Sequence, residues 1–372
     1  MIEKIIRESK RVGNQIARMP KRLAGLIFNN IYHDLFLRRR NQITEGMQKI
    51  SKKIAIYLIF PANGIDKFHE RTLEELLKNC YSTVIVSNAK LPKTDLELLK
   101  KYSLRIIERA NYGYDFGGYR EGILASSSIL KKCKKLLLIN DSTIFPLQEN
   151  STWIIEAESS GWDFTGSMCI NGYNKPKSIS AKAPNFGLVK TDNRDFHYPS
   201  FAIMLGESIA QSKCLQRYFR SLKLSSIKKD VIKRGEIGLS KWAIKQGFSH
   251  GGLMSHQDIF TLANKLSNQE LLEEIKMAIT PQNTQKQKQL IKDLQSLALE
   301  FKEDCKDWRS KAITSLANLS IRFHPGYTLA HMLCTKGKLP FLKKGIKSKG
   351  AKGQYVYNKI LETINTSRQS NH

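Results

Sequence analysis

Cysteine is scarce and scattered in this 372-residue sequence: Cys80, Cys133, Cys169, Cys214, Cys305 and Cys334 stand far apart. No Cys-x-x-Cys pair occurs, which argues against a zinc or dithiol motif and leaves reduced, buried thiols in a cytoplasmic setting as the simplest reading. No run of about 18 uncharged apolar residues is present, so no membrane-spanning helix is predicted. The first residues do not read as a secretory leader, because charges interrupt the apolar positions and no small-residue cleavage site follows a compact apolar core. Acidic residues are few beside basic ones, 33 against 61, for a formal net charge of +28. Such an excess predicts an anionic partner: nucleic acid, an anionic membrane surface or a phosphorylated substrate. Apolar content is ordinary, which excludes a disordered chain and allows one large domain or two smaller ones.

Residues 1–40 carry apolar side chains at roughly helical spacing, from Ile2, Ile5, Ile6, Val12 and Ile16 to Leu23, Leu26, Ile27, Ile31, Leu35 and Phe36. Ten basic and three acidic residues accompany them. A basic amphipathic helix suits the plane of an anionic membrane, although the same period also suits a helix packed on the protein's own core. We therefore expect residues 1–50 to be a helical membrane-association segment.

From Lys53 the pattern alternates. Strands are predicted at Ile54–Phe60, Thr83–Val86, Leu104–Ile107 and Leu136–Ile139. Helices are predicted over Phe68–Lys78, from Thr94 or Asp95 to Tyr102, and from near Gly117 to Ser126. This is an α/β class with a mainly parallel sheet flanked by helices and joined by right-handed crossovers. Trp162–Gly166 and Phe201–Leu205 read as further strands, and 171–185 as a polar loop. Residues 265–315, charged and Gln-rich with a break near Pro281, read as an inserted helical hairpin outside the sheet. The expected division is thus a catalytic domain over 51–264, the insertion over 265–315, and the rest of that domain with a basic tail over 316–372.

Chemistry concentrates at the strand ends, where open α/β sheets bind ligands. The loop 109–118 is neither GxxxxGK[ST] nor a GxGxxG between strand and helix. It offers Arg109 for phosphate or carboxylate, Asn111 and Asp115 for base or sugar hydrogen bonds, and Tyr112 and Tyr114 for stacking. Gly117-Gly118 would let backbone approach a ligand. Asn88, at the end of the second strand, joins this nucleotide-sugar set. Asp141 ends the apolar run Leu136–Ile139 and could face Mg²⁺ or Mn²⁺, which take oxygen ligands and can be completed by a diphosphate. It has no second acid beside it, so a metal either takes help from elsewhere, with His324 as the candidate, or is not required. Transfer of a sugar to a hydroxyl needs a base, for which Glu236, Asp163 and His197 are candidates. Each of these side chains could equally be a cap or a salt-bridge partner.

The stretches Arg109–Gly118 and Leu137–Ser142 resemble the rhamnan synthesis protein F family of bacterial polysaccharide biosynthesis. So do Trp162–Gly166, His197–Phe201, Glu236–Ser240, His324-Pro325 and Leu339–Lys344, in the same order, over about residues 52–345. The resemblance implies a GT-A-like (Rossmann-like) glycosyltransferase, often a rhamnosyltransferase, using a nucleotide-sugar donor and a lipid-linked or growing glycan of cell wall, capsule or O-antigen. It implies a peripheral position on the inner face of the cytoplasmic membrane. The usual Asp-x-Asp of that fold is reduced here to Asp141. Two other classes compete: a basic nucleic-acid-binding protein and a non-catalytic scaffold of polysaccharide assembly. No nucleic-acid-reading motif supports the first, and the charge gathers in the terminal segments.

Overall fold

The computed structural model describes residues 31–172, 191–281, 285–337 and 339–369. The expected basic N-terminal helix and the expected polar loop over 171–185 lie mostly outside the described residues.

The strands are β1 (Gln42–Glu45), β2 (Lys53–Ile59), β3 (Ser82–Ser87), β4 (Arg105–Glu108), β5 (Lys135–Asn140), β6 (Thr143–Ile144), β7 (Phe164–Gly166), β8 (Ala202–Gly206), β9 (His250–Gly252) and β10 (Leu342–Lys343). Eight form one sheet in the order β1-β4-β3-β2-β5-β8-β7-β9. Its centre, β4-β3-β2-β5, is parallel. β8 enters antiparallel between β5 and β7. The result is the expected α/β sheet with helices on its faces. Both faces are covered, which is why the central strands are apolar almost without interruption. Ile54, Ile56 and Leu58 pack in one core cluster, and Ala55, Tyr57 and Ile59 in another, following the two-residue period of a strand.

Helix α1 (Lys67–Lys78) starts at a capping box in which Asp66 accepts from the backbone of His69. Helix α2 (Lys93–Lys101) is not capped by Thr94 or Asp95; the residue before it is Pro92, and Asp95 instead accepts a hydrogen bond from Ile65 N–H at 3.1 Å. Helix α3 (Tyr114–Ala125) starts three residues earlier than Gly117, because Gly113 turns the chain in the left-handed region at φ 79°.

Two stretches depart from expectation. Gln42–Glu45 is an edge strand paired antiparallel with β4, not part of a helical segment. Its Ile43 is exposed, so it carries no buried-face period that could have announced it. The insertion is three helices, Asn268–Met277, Gln285–Leu299 and Lys306–Arg322. Leu271, Trp308 and Leu316 pack in the same cluster as Tyr57 and Ile85 of the sheet. These helices therefore cover one sheet face. No helix of the described residues is long and apolar enough to cross a membrane. All six cysteines are free; Cys133, Cys169 and Cys334 are buried and Cys80 is exposed.

A short second ladder matters most for the site. β6 follows Asp141 directly and pairs antiparallel with β10, so Lys343 lies opposite Thr143. Lys344 N–H also donates to the Ser142 carbonyl at 3.0 Å. The C-terminal basic stretch is thereby pinned to the end of β5.

Candidate functional site

The parallel strands end together at Phe60, Asn88, Arg109 and Asp141, and the antiparallel β8 starts there after Ser200 and Phe201. The loop after β4 is built by Arg109. Its guanidinium donates to Asn88 Oδ1 and to the Tyr112 carbonyl, and it is 5% exposed. Burial pulls its pKa down to about 10. Arg109 and Asn88 therefore brace the loop from behind. Asn111 is exposed at its rim, and Tyr114, 42% exposed, reaches the Ser226 carbonyl at 3.4 Å.

Gly117 and Gly118 serve packing. A Cβ on Gly118 would stand 2.3 Å from Leu58 Cδ1, and one on Gly117 would stand 2.1 Å from the Tyr112 carbonyl oxygen. Both glycines let α3 settle onto the sheet, so the expected role of Gly118 in admitting a ligand is not what its surroundings show.

Two carboxylates from distant parts of the chain meet at Ser200. Asp115, in the first turn of α3, accepts from Ser200 Oγ at 3.3 Å. Glu236, at the end of a π-helical turn Ile232–Glu236, accepts from Ser200 N–H at 2.6 Å. Gly235 makes this approach possible, because a Cβ there would lie 2.3 Å from the Phe116 ring. Burial first, and Glu236 second, push the Asp115 carboxyl up to about 6. His197 is buried, donates Nδ1–H to the Asp195 carbonyl at 2.8 Å, and places Nε2 4.0 Å from Glu236 Oε2.

Asp141 sits on the other side of the cleft. Its Oδ2 accepts from Phe60 N–H at 2.8 Å and faces His69 Nε2 at 3.2 Å. His69 Nδ1 faces both Asp66 N–H at 3.1 Å and Asp66 Oδ1 at 2.8 Å, which fixes the ring with Nε2 toward Asp141. Asn140, fully within the core, accepts from Ser142 N–H at 3.0 Å and donates to Tyr119 OH at 3.2 Å. Tyr119 OH in turn donates to the Ser200 carbonyl at 2.7 Å. One chain of hydrogen bonds thus ties the end of β5 to the serine that holds both acids.

Lys343 reaches into the same cleft from β10. Its Nζ lies 4.0 Å from the centre of the Phe201 ring and 6.0 Å from that of Tyr327. It forms no ion pair with a carboxylate among the described residues. Burial pulls its pKa down to about 8, against the opposing pull of Glu236 and Asp115. His324 is the N-cap of a short helix and accepts from Gly326 N–H at 3.1 Å. Burial, then Lys343, hold its imidazole neutral at pH 7.

Asp163 is elsewhere. Because β7 runs antiparallel to β8, the residue before it lies beside Gly206, at the end of the sheet where β5 begins. There Asp163 accepts from Ser208 Oγ, from Ser249 N–H at 2.9 Å and from Ser249 Oγ at 2.8 Å. The structure does not bring it to the cleft. Asp141 and His324 share no hydrogen-bonding partner, and no three His, Cys, Asp or Glu among the described residues are grouped to hold a metal ion. With Asp141 Oδ2 already engaged, this donor set does not fit a protein-built metal cage.

Sequence reasoning missed Ser200, His69, Tyr119 and Lys343 as site residues. Ser200 and Lys343 belong to stretches already singled out, His197–Phe201 and Leu339–Lys344, but nothing in their spacing ties them to Asp115.

Comparison with known proteins adds the following. Residues 83–294 match the family described as Rhamnan synthesis protein F. "Uncharacterized protein y4gN" of Sinorhizobium fredii (strain NBRC 101917 / NGR234) is 33% identical over 256 residues, which is 69% of this chain and 62% of that protein. "Virulence protein VirA" of Vibrio anguillarum (strain ATCC 68554 / 775) is 30% identical over 174 residues, 42% of this chain and 55% of that one. The chain spans roughly six-tenths of the length of these curated relatives. Among solved structures, the mannosyltransferase Ktr4p from S. cerevisiae is similar at 10% identity and TM-score 0.31, over 61% of this chain and 77% of that one. Mannosyltransferase PcManGT from Pyrobaculum calidifontis, in complex with GDP-Man and Mn²⁺, is similar at 10% identity and TM-score 0.32, over 94% of this chain and 97% of that one. Similarity at these scores carries no argument about this chain's chemistry.

Proposed function

The chain belongs to the rhamnan synthesis protein F family, and from that premise we propose that it is a glycosyltransferase acting on a nucleotide-sugar donor. The observation that carries this reading is the pair Asp115 and Glu236, held on one serine at the ligand-binding edge of an α/β sheet. In the proposed reaction an acceptor hydroxyl gives its proton to Glu236. The acceptor oxygen forms the new bond to the anomeric carbon as the bond from that carbon to the nucleoside diphosphate breaks, and the diphosphate leaves with the electron pair. His197, beside Glu236, orients the base. Asp115 hydrogen-bonds the sugar or the attacking hydroxyl. The loop 111–118, braced by Arg109 and Asn88, frames the nucleotide. No step is routed through a metal.

The donor is proposed to be a rhamnosyl nucleotide and the acceptor a lipid-linked or growing surface glycan, on the strength of the family. A position on the inner face of an anionic membrane is supported by exposed Tyr32, Leu35 and Phe36 beside the exposed Arg39 and Arg40. The test is a screen of nucleotide sugars with purified protein, reading released nucleoside diphosphate. We expect turnover with one donor class and its loss in Glu236→Gln. If no nucleotide sugar is bound or turned over, with or without a glycolipid acceptor fraction, the reading is wrong.

A further inference from the structure

We infer that Lys343 is the fixed cation that receives the donor's diphosphate, doing the work a divalent metal would otherwise do. The inference rests on the glycosyltransferase reading above and asks what neutralises the leaving group. As the glycosidic bond to the diphosphate breaks, negative charge builds on its oxygens, and a preorganised cation or set of donors must meet it.

The basic groups near the strand ends can be sorted by what they already hold. Arg109 is spent on Asn88 and the Tyr112 carbonyl behind the loop. Arg120 is bound to Asp34 and to the Phe219 carbonyl. Lys344 lies 3.9 Å from Asp66, away from the two acids. Lys343 Nζ lies over ring faces, 4.0 Å from the centre of Phe201 and 6.0 Å from that of Tyr327. A ring face attracts an ammonium but does not use up its three N–H donors, so they remain for anionic oxygens.

Its position is also fixed. The β6–β10 ladder pairs Lys343 with Thr143, two residues after Asp141, and Lys344 N–H anchors the next residue to Ser142. The charged groups that act on it come from three other elements. Glu236 comes from the π-helical turn and Asp115 from α3, both attracting, while Lys228 repels from the helix Lys228–Val231. Neutral His324 faces it from the short helix Pro325–Thr328. A dication placed in the cleft would meet this ammonium's repulsion, while Asp141, its candidate ligand, is already held by Phe60 and His69.

The test is calorimetric binding of UDP, GDP and dTDP to the full chain, in EDTA and in Mn²⁺. It uses wild type, Lys343→Gln, Lys343→Arg and Asp141→Asn, each checked by thermal melting. We expect at least one nucleoside diphosphate to bind in EDTA. Lys343→Gln should weaken it by about tenfold or more, the worth of a charge-assisted hydrogen bond. Lys343→Arg should keep most of the affinity, and Asp141→Asn should change it little. In wild type the affinity should fall as pH rises through about 8, where Lys343 loses its proton. This readout needs no variant and holds even if the Gln variant fails to fold. Binding that requires Mn²⁺ and disappears in Asp141→Asn overturns the role of Lys343 and leaves the glycosyltransferase reading standing. Absence of nucleoside diphosphate binding in both conditions removes both.

Discussion

Arg120 and Lys343 are both cations near helix α3, and the chain treats them in opposite ways. Arg120, 1% exposed, is satisfied on every side. Asp34 takes a two-point contact at 2.7 and 2.8 Å, the Phe219 carbonyl accepts from Nε at 3.0 Å, and Glu121 lies 3.3 Å away. Glu121 in turn accepts from Arg38 and Asn41, both at 3.1 Å. This network clamps residues 33–41 onto the outer side of α3. Lys343 is laid on aromatic rings and left without a carboxylate at contact distance among the described residues. A buried charge that is fully paired holds structure together, whereas one left with open donors is strained toward a ligand. The same helix therefore has a structural side at Arg120 and, in the proposed reaction, a chemical side at Asp115.

The sharpest way to break this contrast is to remove one residue from each side. Glu236→Gln should lower turnover by a factor on the order of 10²–10⁴ while the protein melts close to wild type. Near-normal turnover would move the base elsewhere. Arg120→Ala should do the reverse. Leaving Asp34 without its partner, and Glu121 with only Arg38 and Asn41, should cost about 3–5 kcal/mol in urea unfolding, with turnover per folded molecule preserved. A loss below about 1 kcal/mol would mean that the network is only an exposed salt bridge.

Gly118→Ala probes the seam between the two sides. Its Cβ would meet Leu58 at 2.3 Å, and the forced shift of α3 should cost about 1–3 kcal/mol. The smallest effect concerns Asp115. Its folded pKa is raised to about 6, so burial favours the protonated form. The stability it contributes is fully present below the unfolded carboxylate range and is lost as pH rises through about 6. Asp115→Asn should therefore be slightly more stable than wild type at pH 7, with the gain shrinking as pH falls from 6 toward 4. Wild-type turnover should fall below about pH 6 as Asp115 takes up a proton. A flat profile between pH 5 and 8 would exclude Asp115 from the chemistry.

Much of the fold was legible in the chain. The strands Lys53–Ile59, Ser82–Ser87 and Lys135–Asn140 are apolar on both faces, and a buried parallel strand has little choice but to read that way. β1 was illegible for the opposite reason: an exposed edge strand has no apolar face, and its pairing comes from the free edge of β4. The insertion was legible as helix but not as a cover of the sheet, because a helix's own period shows which stripe is buried and not what buries it. Asp163 shows the limit for sites. Its strand was read correctly and runs in the same direction as β5, but Asp163 stands just before that strand, so it lies at the edge where the parallel strands begin, away from the ligand-binding end.

The sequence by itself determined the α/β class, the strand ends at Asn88, Arg109 and Asp141, and the family, because local period and short polar stretches are properties of neighbours along the chain. Only the tertiary structure decided which of those polar groups meet. Ser200 joins Asp115 to Glu236 across about a hundred residues of chain, and a two-residue ladder brings Lys343 beside the end of β5. Such meetings depend on sheet order, strand direction and the close approaches allowed at Gly118 and Gly235. They are fixed by packing over long sequence separations, which no local pattern encodes.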